Sequence, residues 1–329
     1  AACTGSAWCA PKQRGSVVEI VPGLFQLKTP MMGPALPYIM PYALRGSDGV
    51  NLIDTGFGTP DAIESLTTQL KSLGYEPSQI RRLFITHAHP DHIGMAGWVK
   101  EQSPDCEVIM LEREWQWIQD RWLNNDAWTA LSDAWLVRHG VPQDEVDAAQ
   151  AAGALSPTSP SVKPGETAPA PAAAPRPGGS GRPFSFIEPD VKLQDGDIVE
   201  FDGWRLQAVW TPGHTPGSTC FVAREAGVAF VGDLVISYRD GLARSMVAAN
   251  RDDRRYLGAL GAFAGEARAL GVTMGMPGHG HPIRSEFAER LEELSTLPRE
   301  PLSPRNFWRR TRRMARFNTF MWMKDRPRR

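Results

Sequence analysis

The stretch FITHAHPDHIG, residues 84–94, sets three of the chain's seven histidines and an aspartate within six positions. It continues the run RRLFIT (81–86), which reads as a buried strand ending where the histidines begin. In extended backbone alternate side chains share a side, so His87 and His89 can face one ion. If the chain turns into a helix at Pro90, Asp91 and His92 swing toward a second position nearby. Imidazole and carboxylate are the donors that borderline divalent cations take, zinc first among them.

Later segments repeat the arrangement. WTPGHTPGS (210–218) sets His214 in a Gly/Pro loop after a strand, VAFVGDLV (228–235) ends a strand at Gly232-Asp233, and MPGHGHP (276–282) ends another at Gly278-His279. GVNLIDTG (49–56) brings Asp54 to a strand end in the same way. A lone aspartate after a strand means little, and a lone loop histidine is usually solvated. Recurrence at strand ends instead gathers donors at one edge of the sheets, which is how a rigid scaffold builds a metal site. His281 reads as a loop residue, and His139, in VRHGVP (137–142), as a helix C-terminal residue favoured by the dipole.

Composition limits the alternatives. The 329 residues are 42% hydrophobic and 22% charged, enough to bury a substantial core. No window approaches the roughly 18 apolar residues of a membrane span. No secretory signal is visible, and the expected compartment is the cytoplasm. Residues 1–16 read as a non-native or disordered edge. Cys3, Cys9, Cys106 and Cys220 are too scattered for a disulfide framework, and the latter two lie in apolar strand-like runs.

The order of elements is strands, then helices, twice over, which suggests two βα halves packed face to face. SVVEIVPGLFQLK and YIMPYALRG are strand-like; TPDAIESLTTQLKSLG has Thr59 as N-cap, Pro60 at N1 and Gly74 past the end. DHIGMAGWVKEQ reads as helix and CEVIML as strand. Residues 111–150 form a Trp-rich helical insertion, with Trp115, Trp122, Trp128 and Trp135 either packing between helices or overhanging a substrate. Residues 156–181 hold 16 Pro, Ala and Gly in 26 positions and no aromatic, and so read as a disordered insertion. Strands follow, then helices over DDRRYLGALGAFAGEARALG and about 285–297.

H-x-H-x-D-H, then P-G-H-T-P-G, G-D and P-G-H-G resembles the metallo-β-lactamase-fold hydrolases from about Val17 to Leu297. The resemblance implies an α/β, αββα four-layer sandwich over 17–297 with its site at one edge. It implies two divalent ions, zinc or alternatively iron or manganese: His87, His89 and His214 on one, Asp91, His92 and His279 on the other, and Asp233 bridging. Asp54 matches a carboxylate that supports such a centre from behind, the alternative being a turn cap. A water held between two dications would give a bridging hydroxide nucleophile, with Asp91 and Asp233 as the catalytic carboxylates of a hydrolase. No G-x-S-x-G elbow competes, and Ser218 lacks that setting.

Thr86–His92 resembles the glyoxalase II-like thioesterases, so a small thioester or other ester is the leading substrate. The segment after Asp233, LVISYRDGLARS, does not match their glutathione pattern. A lactonase, for which Tyr238 is the nearby candidate tyrosine, is one alternative. A phosphodiesterase or ribonuclease is the other, because residues 301–329 carry ten basic residues against Asp325, a net +9 that leaves −10 on the rest. This basic, aromatic tail (298–329) suits nucleic acid or an anionic membrane through residues 305–329. The bland reading is a solvated helix docked on the acidic body.

Overall fold

The computed structural model describes residues 17–31, 36–120, 187–238, 241–245 and 253–297, together with 137, 142–144 and 147. The terminal segments, the proline-rich insertion, most of the Trp-rich stretch and His139 lie outside the described residues.

The first half supplies β1 (Val18–Val21), β2 (Leu24–Gln26), a small hairpin of β3 (Thr29–Pro30) and β4 (Tyr38–Ile39), then β5 (Tyr42–Arg45), β6 (Val50–Ile53), β7 (Ile80–Ile85), β8 (Glu107–Leu111) and β9 (Val191–Leu193). Seven of them pair in the order β1-β2-β5-β6-β7-β8-β9, parallel from β6 onward. The parallel crossovers carry α1 (Pro60–Ser72), α2 (Pro90–Ile93), α3 (Ala96–Gln102) and α4 (Glu112–Ile118). The second half supplies β10 (Ile198–Phe201), β11 (Trp204–Trp210), β12 (Thr219–Ala223), β13 (Val228–Gly232), a hairpin of β14 (Val235–Tyr238) and β15 (Gly241–Arg244), and β16 (Met274–Pro277). Its sheet runs β10-β11-β12-β13-β16, with β13 and β16 parallel across the helix α5 (Asp253–Ala269); α6 (Phe287–Thr296) follows.

Alternation along each strand separates the layers. In β7, Leu83 and Ile85 pack with Ala62, Leu66 and Leu70 of α1, whereas Phe84 joins Phe221, Phe230 and Met276 between the sheets. In β13, Val228 and Phe230 face that middle layer, while Ala229 and Val231 meet Tyr256, Leu260, Phe263 and Leu291 of the last two helices. Helix, sheet, sheet, helix is the expected four-layer sandwich. Strands buried on both faces explain why the LFI end of β7 and the whole of β13 read as continuous apolar runs.

Local chemistry sets the ends as expected. Thr59 caps α1, its side chain accepting from the Ala62 N–H at 3.4 Å, with Pro60 at the first helical position. The helix expected from Asp91 onward is in fact two. It breaks at Gly94-Met95, where Gly94 lies so near the Gly56–Gly58 loop that a Cβ would sit 2.8 Å from Gly56 O. The break frees α2 to follow the site and α3 to follow the core. Trp115 is buried in the helix-side core, Trp117 packs against its margin, and Cys106 and Cys220 are buried free thiols. Among the described residues no helix is long and apolar enough to cross a membrane.

Candidate metal centre

The seven residues expected to share a site converge at the carboxyl ends of β7, β11, β13 and β16. His87 and His89 follow the end of β7, His89 in extended backbone. His89 is the N-cap of α2, and the turn at Pro90 carries Asp91 and His92 round. His214 comes from the loop after β11, Asp233 directly follows β13, and His279 follows β16.

Three groups of donor atoms lie within 4.8 Å of one another: His87, His89 and His214; His87, His92 and Asp233; Asp91, His92 and His279. In the first, His89 Nδ1 is 3.1 Å from His87 Nε2 and 2.9 Å from His214 Nε2. In the last, Asp91 Oδ2 is 3.2 Å from His279 Nε2 and 3.8 Å from His92 Nε2. Asp233 reaches both. Its Oδ2 is 3.4 Å from His214 Nε2, and its Oδ1 is 3.4 Å from His92 Nε2 and 3.5 Å from His279 Nε2. His281 belongs to none of these groups, and Tyr238 is partly buried against the inter-sheet core.

The outer ring nitrogens are held by the fold, which decides what the inner ones can do. Asp54, with φ +57°, accepts the Thr86 N–H at 2.8 Å on Oδ1, and on Oδ2 the Thr86 hydroxyl and His92 Nδ1–H, both at 2.8 Å. Because the Thr86 hydroxyl is spent on Asp54, it can only accept from His87 Nδ1, 3.1 Å away. His279 Nδ1–H donates to the Tyr38 carbonyl at 3.0 Å, and His214 Nδ1 meets Ser245 Oγ at 2.9 Å. His87, His92 and His279 therefore each turn an Nε2 lone pair inward. Asp54 acts on both halves of the cluster, directly through His92 and by way of Thr86 on His87; the turn-cap reading understates it.

The site fits a cation. His92 Nε2, His279 Nε2 and Asp233 Oδ1 are buried and make no hydrogen bond, an arrangement whose cost a bound ion would relieve. Donors arranged tetrahedrally about zinc lie roughly 3.3 Å apart, close to the spacings here. Burial and the neighbouring imidazoles push His87 well below the usual histidine range, and burial with His214 pushes His89 down to about 3. Both stay neutral and able to ligate. Burial opposes charge on His92, but Asp54, Asp233 and Asp91 outweigh it and raise its pKa; Asp233 is in turn held ionised, against its burial, by His279 and His92. A dication would displace those protons.

Glu114, at the start of α4, was not singled out in the sequence. It is fully buried, and its Oε1 accepts the Ala88 N–H at 2.7 Å. Its Oε2 accepts the Thr215 hydroxyl at 2.9 Å and the Gly217 N–H at 2.8 Å. Ser218, dismissed as a nucleophile, braces the same loop by accepting the Thr215 N–H.

Comparison with known proteins bears on the family and the fold. A family profile described as the metallo-beta-lactamase superfamily matches residues 38–304. A lactamase-like protein nscB of Arthroderma otae is 33% identical over 33% of this chain and 32% of its own length. A hydroxyacylglutathione hydrolase of Gloeobacter violaceus is 31% identical over 32% of this chain and 43% of its own. An atrochrysone carboxyl ACP thioesterase of Aspergillus fumigatus is 28% identical over 34% and 33%. The chain thus spans well under half the length of these curated relatives. A metallo-beta-lactamase family protein from Thermus thermophilus superposes with a TM-score of 0.59 at 25% identity, over 84% of this chain and 79% of that one.

Proposed function

This chain belongs to the metallo-β-lactamase superfamily, and on that premise we propose that it is a hydrolase with a dinuclear metal centre, acting on a thioester or other ester-type bond of a small molecule. The observation that carries the reading is Asp233, whose two carboxylate oxygens face different groups of donors, Oδ2 toward His214 and Oδ1 toward His92 and His279. We assign His87, His89 and His214 to one ion, Asp91, His92 and His279 to the other, and Asp233 to both, with zinc the cation the nitrogen-rich set suits best. Two dications bound there supply Lewis acidity and activate water for attack on a carbonyl.

The chain's own residues do the rest. Asp54, Thr86, Ser245 and the Tyr38 carbonyl fix the rings of His92, His87, His214 and His279 so that none has to reorient as the reaction proceeds. Asp91 and Asp233, held close to His92 and His279, offset the cationic charge, and Asp91, assigned to a single ion, is the carboxylate that can take up the proton that water loses. The substrate class is supported by two relatives, a hydroxyacylglutathione hydrolase and an ACP thioesterase.

The test is turnover by zinc-loaded protein on an acyl thioester, an acyl lactone and a phosphodiester, with Asp233→Ala as control. Thioester preference, abolished in the variant, is expected. Preference for the phosphodiester, weakening steeply with salt, would instead make the basic residues of 305–329 part of the substrate site.

A further inference from the structure

The ligand loops after β7 and β11 come from different sheets, and little else in the sequence says how their separation is fixed. One backbone bond, Thr219 N–H to Thr86 O at 3.0 Å, joins them at the strand ends. Beyond it both loops close on one side chain. Ala88, the residue between His87 and His89, gives its N–H to Glu114 Oε1; Thr215 and Gly217, on either side of Pro216 and just past His214, give a hydroxyl and an N–H to Oε2. The approach is backbone to backbone: a Cβ on Gly217 would lie 2.3 Å from Glu114 N and 2.5 Å from its Cα. Ala88 is buried on the helix side, so its own side chain leaves the His87 and His89 rings to the other side.

We propose that Glu114 is a positioning residue for the metal pocket of His87, His89 and His214, holding the two loops that bring these three rings together at one fixed separation. The assignment rests on the metal-centre reading above. Its chemistry is that of a carboxylate with one oxygen for each loop. All three partners are donors, so the ionised form satisfies every one of them. An amide cannot: turned either way, glutamine at this position sets an N–H₂ against a donor and releases one loop. Released, the loop carrying His214 is free to drift from the pair His87 and His89, and the three-nitrogen pocket loosens while the Asp91, His92 and His279 group, tied instead through Asp54 and Tyr38, does not. Glu114 touches none of the reacting atoms; it acts through the loops.

The experiment is stepwise zinc binding to the full chain, read by competition with a chromophoric chelator, for wild type, Glu114→Gln and Thr215→Val. The second variant removes a single donor and keeps the carboxylate, so it remains informative if the first folds poorly. In Glu114→Gln one of the two binding steps should weaken by about tenfold or more while the other stays within about threefold. Thr215→Val should move the same step in the same direction by less. Wild-type affinity at both steps in both variants, whatever happens to their melting temperatures, overturns the assignment and leaves Glu114 a structural carboxylate. Should the wild type itself take up no zinc tightly, the metal-centre reading falls and this assignment with it; two tight wild-type steps that neither variant shifts refute Glu114's role alone.

Discussion

Gly278 precedes His279, and its replacement by alanine isolates the geometry of one half of the site. Its φ lies outside the left-handed region, so alanine meets no backbone penalty there, only its own methyl. That Cβ would sit 2.6 Å from His92 Cε1 and 2.9 Å from Asp233 Oδ1. Ordinary contact begins near 3.4 Å, so His92 must retreat by about 0.8 Å. The backbone cannot yield instead, because Gly278 N–H donates to Gly232 O at 2.7 Å and Gly278 O accepts the Met40 N–H at 2.8 Å. Metal–ligand distances tolerate only about 0.2 Å, and a misplacement of about 1 Å can cost about 100-fold in rate, or roughly 2.7 kcal/mol. For the proposed two-ion centre, metal content per folded chain, by plasma emission after equilibration in zinc buffer, should therefore drop by one ion, with turnover down about 100-fold. Gly258→Ala, in the exposed face of α5 with nothing within 4 Å of the new methyl, is the matched control and should keep both ions and full activity. A Gly278→Ala protein that holds two ions and works within about threefold of wild type would refute the steric argument.

Two further outcomes follow from the supporting carboxylates. Asp54→Asn sets an amide N–H₂ against one of the donors on Thr86 or His92. It should lower zinc affinity and kcat by roughly 10- to 100-fold, and chelator competition showing unchanged affinity would exclude its supporting role. Glu114 gives a pH signature in the metal-free protein: burial lifts its carboxyl from 4.5 to about 7, so the folded state binds its proton more readily than the unfolded chain. Burial penalises the charged form by more than its three donors favour it, so its contribution is most favourable below 4.5 and is lost as pH rises through 7, where the carboxylate that joins the two loops forms, a change on the order of 3 kcal/mol. Urea melts at about pH 5 and about pH 8 should show wild type losing that much relative to Glu114→Gln; a constant difference would contradict it.

The sandwich and the donor cluster were legible because one signal marks both. Each of His87, His214, Asp233 and His279 follows an apolar run and stands beside glycine, proline or threonine, so the period of burial and the position of the ligand coincide. Asp54 was legible for the same reason, although its left-handed backbone and its reach to two histidines were not. Glu114 left no such mark. An acid in the first turn of a helix is ordinary on dipole grounds, and Glu112 beside it looks identical in sequence. Only packing of α4 beneath both loops separates the two. Ser245 and the Tyr38 carbonyl were hidden similarly, because their meaning lies in partners far along the chain. The break at Gly94-Met95 coincides with a close approach to Gly56–Gly58, which no local pattern reports.

The hydrogen bond from His279 to Tyr38 spans 241 positions in sequence, and His279 itself is carried by the last strand of the second sheet. Contacts of such separation form late, because the chain between them must first be collapsed. A nascent chain can expose FITHAHPDHIG long before His279 is in place to oppose Asp91 and His92. The proposed ligand set is thus complete only once the second sheet has formed. Loading with metal would in consequence lock the two sheets in register only after both have formed, raising the barrier to their separation more than it hastens their joining.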